Sequence, residues 1–235
     1  MSKKLTIAID GPAAAGKSSL AKALAEHLGY LYFDTGAMYR AVTFAALQRG
    51  IAIDDEGAME DLAHRVHIDL LPSSKSDGRL YDVWLDGVDC TWYLRSADVD
   101  SHVSQVSAYA GVRAALTEQQ RRIAGRGGVV MAGRDIGTVV LPNADLKIYL
   151  NASLQERAQR RYNELVERGE TAKLDDVLEG LRQRDQIDTH RAVAPLRAAE
   201  DAITLDSDNT PIEDVLNKAL EMVSNRQAEL ADVKS

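Results

Sequence analysis

Residues 7–18 read Ile-Ala-Ile-Asp-Gly-Pro-Ala-Ala-Ala-Gly-Lys-Ser, an apolar run that passes straight into a loop framed by two glycines and closed by lysine and serine. This is the G-x-x-x-x-G-K-S/T phosphate loop in its proper setting, because residues 19–28 continue as an alanine-rich amphipathic helix. The spacing follows from the chemistry. Gly11 and Gly16 let the backbone curl until successive N–H groups point at phosphate oxygens. The helix that begins near Lys17 adds the positive end of its dipole. Lys17 is placed to reach β- and γ-phosphates, and the Ser18 hydroxyl to ligate Mg²⁺. The loop as a whole, with Pro12, Ala13, Ala14 and Ala15 between the glycines and Ser19 after them, reads as a nucleoside-triphosphate site.

Composition bounds the rest. A chain of 235 residues, 45% of them hydrophobic, suits one large α/β domain or two small ones with a sizeable core. A formal net charge of −8 argues against a nucleic-acid surface, which needs clustered positive charge. Cys90 is the single cysteine, so an intramolecular disulfide and a cysteine-based metal site are both excluded. It reads as a small half-buried hydrophobe. No run approaches membrane-spanning length, and residues 1–4 lead into the first strand without a signal-like apolar segment. A cytoplasmic location without a membrane partner is the expectation. Among five histidines only His64 and His67 are closely spaced, at a helix-to-strand change, and the pair reads as incidental.

Five short apolar runs have the length and side-chain type of parallel strands: residues 5–10, 31–34, 128–132, 146–150 and 202–206. Helical patterns alternate with them at 18–28, 37–49, 112–125, 153–168, 174–187 and 211–226. The alternation predicts a five-stranded parallel sheet with helices on both faces. Ligands of such sheets sit beyond the carboxyl ends of the strands, where the polar pairs Asp10-Gly11, Asp34-Thr35, Arg134-Asp135 and Asp206-Ser207 fall. Two stretches interrupt the pattern. Within 64–93, three antiparallel strands are expected, HIDLLP, RLYDVWLDG and VDCTWYL, with a polar loop at 73–78 and an Asp86-Gly87 hairpin turn. Trp84 and Trp92 are assigned to the core of this insertion. Residues 151–191 are helical and carry Arg157, Arg160, Arg161, Arg168, Arg182, Arg184 and Arg191. In an acidic chain with a phosphate loop, such a concentration reads as phosphate clamping. The last helix bears an apolar stripe at Ile212, Val215, Leu216, Ala219, Leu220 and Val223, a packing face and not a membrane helix.

The strand ends sharpen the chemistry. The second ends in Asp-Thr-Gly-Ala-Met-Tyr-Arg (34–40), where Thr35 is a candidate N-cap and Arg40 lies one turn into the helix, placed to meet a second phosphate. The third ends in Met-Ala-Gly-Arg-Asp-Ile-Gly-Thr (131–138), delivering an arginine and a carboxylate into a glycine-flanked turn. That strand lacks the four-hydrophobics-then-Asp ending of motor ATPases and GTPases, and no Asn-Lys-x-Asp guanine-reading motif occurs. Switches and motors are disfavoured.

Taken in order, GPAAAGKSS, DTGAMYR, SQVS…VR, GRDIGTVV and RDQIDTHRAVAPL resemble the bacterial-type cytidylate kinases of the nucleoside-monophosphate kinase group, over residues 4–226. The insertion at 64–93 is similar to the extra antiparallel sheet of the bacterial enzymes. The resemblance implies one kinase domain, comprising a core (about 1–35, 110–150 and 192–235), a monophosphate-binding region with the insertion (about 36–109) and a lid (about 151–191). It implies phosphorylation of CMP and dCMP by ATP with Mg²⁺ in pyrimidine metabolism, by a monomer whose partners are small molecules only. It also assigns residues. The base falls to Ser104, Arg113 and Asp135, the acceptor phosphate to Arg40, Arg134 and Arg191, and the ribose to Arg184 and Asp188. Thr35 stands where relatives often have serine. Lys17, Arg134 and Arg191 are implied to be catalytic, with Arg157 and Arg160 toward the donor phosphates. Phosphoryl transfer asks for positioning and neutralised charge more than covalent chemistry, and an arginine-lined cleft closed against water suits it.

Two other readings compete. A phosphate-loop kinase of another small acceptor, such as shikimate, has no use for the base-reading set. A regulatory module that binds ATP without turnover has no use for acceptor and lid arginines together.

Overall fold

The computed structural model describes residues 4–79, 81–125 and 127–232. In chain order the elements are β1 (Thr6–Asp10), α1 (Lys17–Leu28), β2 (Leu31–Asp34), α2 (Thr35–Gln48), α3 (Glu56–Arg65), β3 (Ile68–Pro72), β4 (Tyr81–Leu85), β5 (Val88–Asp89), a 3₁₀ turn (Tyr93–Arg95), α4 (Ala97–Val106), α5 (Ala110–Ala124), β6 (Val129–Gly133), a π-helical turn (Ile136–Val140), β7 (Leu146–Asn151), α6 (Leu154–Glu167), α7 (Leu174–His190), β8 (Ile203–Asp206) and α8 (Ile212–Asp232). They form two compact units, one built from the chain up to Phe33 together with Ala124 onward, the other from Asp34–Ile123. Among the described residues no helix is long and apolar enough to cross a membrane.

The first unit holds the five-stranded sheet, in the order β2-β6-β1-β7-β8. Strand β1 pairs in parallel with β6 and β7, and β7 in parallel with β8. Central strands lose both faces to packing, which is why β6 reads Val-Val-Met-Ala-Gly with every residue buried. Register places Asp10 beside Gly133 on one side and Tyr149 on the other, so the carboxyl ends that bear the polar motifs lie level. Helices α1 and α8 pack their apolar stripes on a core of Ile7, Ile9, Val130, Ile148 and Leu150. In α8 the stripe is carried by buried Val215, Ala219 and Val223, while Ile212 is exposed. The helix also runs past the predicted end at 226 to Asp232. Helices α6 and α7 pack against each other, and Ala158 and Leu181 meet Ala13 of the phosphate loop in a small apolar cluster.

In the second unit the hairpin turn forms as predicted, with Asp86 and Gly87 both at positive φ (49° and 82°), the type I′ geometry. Three expectations need correction. Thr35 is not the N-cap of α2. Asp34 is: its Oδ1 accepts the Gly36 N–H at 2.9 Å, and Thr35 is the first helical residue. The run VDCTWYL is strand only at Val88–Asp89, because Thr91 turns back to bond Asp89 and a 3₁₀ turn follows. Trp92 is therefore 44% exposed and donates its indole N–H to Asp77, whereas Trp84 is half-buried on β4. A buried arginine holds the loop before β4: Arg79 donates to Asp77, Asp82 and Asp89 at 2.8–3.0 Å. The Arg79 guanidinium and the Trp92 indole hold the Asp77 carboxyl well below the usual carboxylate range. Thr91 and Arg79 do the same for Asp89, and Ser74 with Arg79 lowers Asp82. Cys90 is buried outright, only 2% exposed, and burial pushes its thiol up to about 11.

Candidate active site

Strand β1 delivers the phosphate loop, and its backbone is that of a cradle. Gly11 (φ +149°), Ala14 (φ +59°) and Gly16 (φ +89°) lie in or near left-handed space. A Cβ on Gly11 would stand 2.0 Å from the Leu150 carbonyl oxygen, so only glycine fits between the loop and β7. With glycine at the N-cap, no side chain caps the first turn of α1, which leaves the anion-attracting end of that helix facing the loop. Lys17, buried, folds across the loop and donates to the Pro12 carbonyl at 2.6 Å. Just before the loop, Asp10 accepts the Ile136 and Gly137 N–H groups, both at 2.7 Å, bracing the turn that follows Arg134-Asp135. Burial raises its carboxyl to about 6, against the lowering pull of those two bonds.

Two arginines of α6 lie beside the loop. Arg157, buried on α6, donates to the Ala13 carbonyl at 3.2 Å and forks onto both oxygens of Asp185 of α7 at 3.1 and 2.6 Å. Arg160 donates to Ser207 just after β8, whose hydroxyl in turn donates to the Ala15 carbonyl. A Cβ on Gly16 would lie 3.8 Å from Arg160 Nη1. Arg157 is thus tied directly to a loop carbonyl and to α7, and Arg160 reaches the loop through Ser207.

A second cluster forms beyond β6. Asp188 of α7, buried, accepts from Arg134 Nε at 2.9 Å and stands 3.9 Å from Arg191, which itself lies 3.8 Å from buried Asp135. Burial acts to raise the Asp188 carboxyl, yet Arg134, Arg184 and Arg191 together hold it below the ordinary carboxylate value. Of the residues implied for the acceptor, the structure brings Arg134, Asp135, Arg184, Asp188 and Arg191 into one charged group.

Thr35, Arg40, Ser104 and Arg113 belong to the second unit. Thr35 is buried at the start of α2. Arg40 donates to the Leu94 carbonyl at 2.8 Å and pairs with Asp100 at 2.6 Å. Ser104 and buried Arg113 converge on Ser107, whose hydroxyl donates to the Ser104 carbonyl while its own carbonyl accepts from Arg113 at 2.8 Å. The Arg113 guanidinium also lies over the Tyr39 ring, 5.3 Å from its centroid. Sequence reasoning found the arginines and missed what holds them, Asp100, Ser107, Asp185 and Ser207, together with Asp10, which braces the turn after Arg134-Asp135. Ser107 and Asp185 lie inside the motifs SQVS and RDQIDTHR, and Asp10 and Ser207 in the strand-end pairs, so all four were in view without a role.

No three His, Cys, Asp or Glu side chains converge as a metal cage among the described residues. Mg²⁺ beside a nucleotide needs less, because it keeps waters and takes phosphate oxygens. The Ser18 hydroxyl, in the first turn of α1 beside Lys17, is an oxygen donor of the right kind, and the site fits that ion.

Comparison with known proteins agrees with this geometry. Over its full length the chain has the fold of a gluconokinase from Sinorhizobium meliloti 1021, with a TM-score of 0.53, 16% identity and 100% of each chain covered. A cytidylate kinase of Geobacillus sp. (strain WCH70) is 49% identical over 96% of this chain and 99% of its own. One from Herpetosiphon aurantiacus is 50% identical, covering 93% of each. The family model described as cytidylate kinase matches residues 7–225. With sequence, fold and motif order in agreement, this chain belongs to the cytidylate kinase family.

Proposed function

We propose that the protein transfers the terminal phosphoryl group of ATP to CMP and dCMP, giving ADP with CDP or dCDP. The observation that carries this reading is the arrangement in the first unit, where Arg157 bonds a carbonyl of a lysine-bearing phosphate loop, Arg160 reaches the same loop through Ser207, and a second arginine group surrounds Asp188. Two polyanions repel, and clustered guanidinium groups offset that repulsion where a −8 chain otherwise would not.

In this reading Gly11–Ser19 and the lid arginines hold ATP, and Lys17 follows the migrating phosphoryl group. Mg²⁺, when bound at Ser18, supplies further neutralisation of the donor phosphates. Arg134, Arg191 and Arg40 take the acceptor phosphate, Arg184 and Asp188 the ribose, and Thr35 lies at the start of the Arg40 helix. Ser104, Arg113 and Asp135 read the base. The buried Asp135 carboxylate accepts hydrogen bonds and cannot donate them, which suits the N4 amino group of cytosine and rejects the O4 carbonyl of uracil. Monomeric state and cytoplasmic location are part of the same reading, supported by the family resemblance.

The test is a coupled assay of ADP release against CMP, dCMP, UMP, AMP and shikimate. CMP and dCMP should dominate. Turnover of shikimate, or of none of the monophosphates, would overturn the proposal.

A further inference from the structure

Asp10 is a buried carboxylate that the proposed reaction leaves without a task. It closes β1 one residue before the phosphate loop, yet its bonds go to the turn beyond β6. Oδ1 accepts the Ile136 N–H and Oδ2 the Gly137 N–H, both at 2.7 Å. With its carboxyl at about 6 the group is ionised at pH 7, so both oxygens accept and neither donates. Gly137 makes the approach possible, because a Cβ there would stand 3.3 Å from Asp10 Oδ2 and 3.0 Å from Lys147 Cδ.

The first of these bonds falls on the peptide that leaves Asp135. The Ile136 N–H shares that peptide with the Asp135 carbonyl, which accepts the Val139 and Val140 N–H groups at 2.9 and 3.1 Å. The peptide is therefore pinned at both edges, by a carboxylate on its N–H and by the π-helical turn on its C=O. A planar group held in this way fixes ψ of Asp135 (φ −145°, ψ 25°), and with it the direction of the Asp135 Cα–Cβ bond. Ile136 and Gly137 are themselves buried, so without Asp10 both N–H groups would lose their acceptor and the turn would shift to find another. Beyond the same turn there is a separate brace. Lys147 of β7 donates to the Pro142 carbonyl at 2.6 Å and to Asp201 at 2.7 Å.

We propose that Asp10 is a positioning residue for base selection: by holding the Asp135–Ile136 peptide it fixes where the Asp135 carboxylate stands, and so sets the preference for CMP over UMP. The inference rests on the reading of Asp135 as a base-reading residue.

The experiment measures kcat/KM for CMP and for UMP on full-length Asp10→Ala, Asp10→Asn, Lys147→Met, Asp135→Asn and the double variant Asp10→Asn/Asp135→Asn. The Lys17 charge also acts on Asp10, but both nucleotides use the same donor site, so an effect through Lys17 cancels in the CMP/UMP ratio. Asp10→Ala removes both acceptors and should narrow the ratio about tenfold. Asp10→Asn keeps one acceptor and turns an NH₂ toward the other N–H, and should narrow it about threefold. Both variants delete the charge that acts on Asp135, so equal effects would point to that charge and not to a held peptide. Lys147→Met keeps the stem beside Gly137 and removes only the second brace, and should leave the ratio within about twofold. With Asn at position 135 the amide can offer either O or NH₂ to the base, so Asp10→Asn should there change the ratio by no more than about twofold. Asp10→Asn carries the test by itself if Asp10→Ala does not fold, and failure of both to fold would make Asp10 a folding residue and overturn the proposal. So would equal effects of the two Asp10 variants, equal narrowing by Lys147→Met, or an Asp10→Asn effect undiminished with Asn at position 135. If Asp135→Asn narrows the ratio and a folded Asp10 variant does not, the inference alone falls. If Asp135→Asn leaves the ratio unchanged, the base-reading assignment falls and takes the inference with it.

Discussion

Lys17 has a short bond to a loop carbonyl and a charge that phosphate would attract more strongly, and in the proposed reading it moves with the substrate. Lys17→Ala should fold normally and lose at least about a hundredfold in kcat, the scale of removing one oriented transition-state donor. Circular dichroism and ADP release measured on the same sample check both halves. In the proposed reading Asp135 serves selectivity. Asp135→Asn keeps the shape but offers an NH₂ to O4 of uracil, so the CMP/UMP ratio of kcat/KM should narrow by at least about tenfold, or ~1.4 kcal/mol. An unchanged ratio would remove Asp135 from base reading. Asp10 has a different signature. Its folded value of about 6 exceeds the ordinary 3.8, so the native state holds a proton that the unfolded chain releases. Stability from this group is present below pH ~4 and declines as pH rises through 6. The difference in unfolding free energy between wild type and Asp10→Asn should therefore shift against wild type between pH ~4 and 6. A flat difference would contradict the assignment.

Among the elements, the Arg79 anchor makes the insertion sensitive to acid. Asp77, Asp82 and Asp89 titrate below their ordinary value because they are paired or hydrogen-bonded, so their contribution is complete above pH ~4 and is lost as pH falls further. Arg79→Met should lower the unfolding temperature at pH 7, and its difference from wild type should shrink progressively as pH falls below ~4 into strong acid, as followed by Trp84 and Trp92 fluorescence. The elements also show what could be read beforehand. All five parallel strands were legible because short β-branched or aromatic runs between polar ends have little alternative. Helices α3 and α4 were not predicted. The first is short with four charged residues in ten and a glycine near its start, and the second, Ala-Asp-Val-Asp-Ser-His-Val-Ser-Gln-Val, is poor in helix formers. Caps and packing decide them: Asp55 accepts the Ala58 N–H and Ser96 that of Val99, while Met59, Leu62, Val99 and Val103 are buried. The site divides in the same way. Arginines announce themselves by type and spacing. Their anchors, such as Asp185 under Arg157 and Asp100 beside Arg40, depend on which helix meets which, and that is a tertiary fact.

For the whole molecule, the second unit is one uninterrupted stretch, Asp34–Ile123, set into a chain whose first unit is discontinuous. Cys90 lies inside that stretch, buried and with a thiol too weakly acidic to react at neutral pH while it stays folded. The protein thus carries a built-in clock for the opening of one unit. Under an excess of a thiol-labelling reagent, each molecule is marked only when the segment around position 90 exposes its sulfur. The labelling rate divided by that of a short unstructured peptide then gives the fraction of time spent open. Saturating CMP should slow the clock in proportion to how much more tightly it binds the closed form, by about a hundredfold if the ligand stands at 100 times its dissociation constant and the open form does not bind it. A single thiol, of no use for cross-linking or metal binding, becomes the means of timing how the acceptor protects its own unit from opening, without adding any foreign probe to the chain.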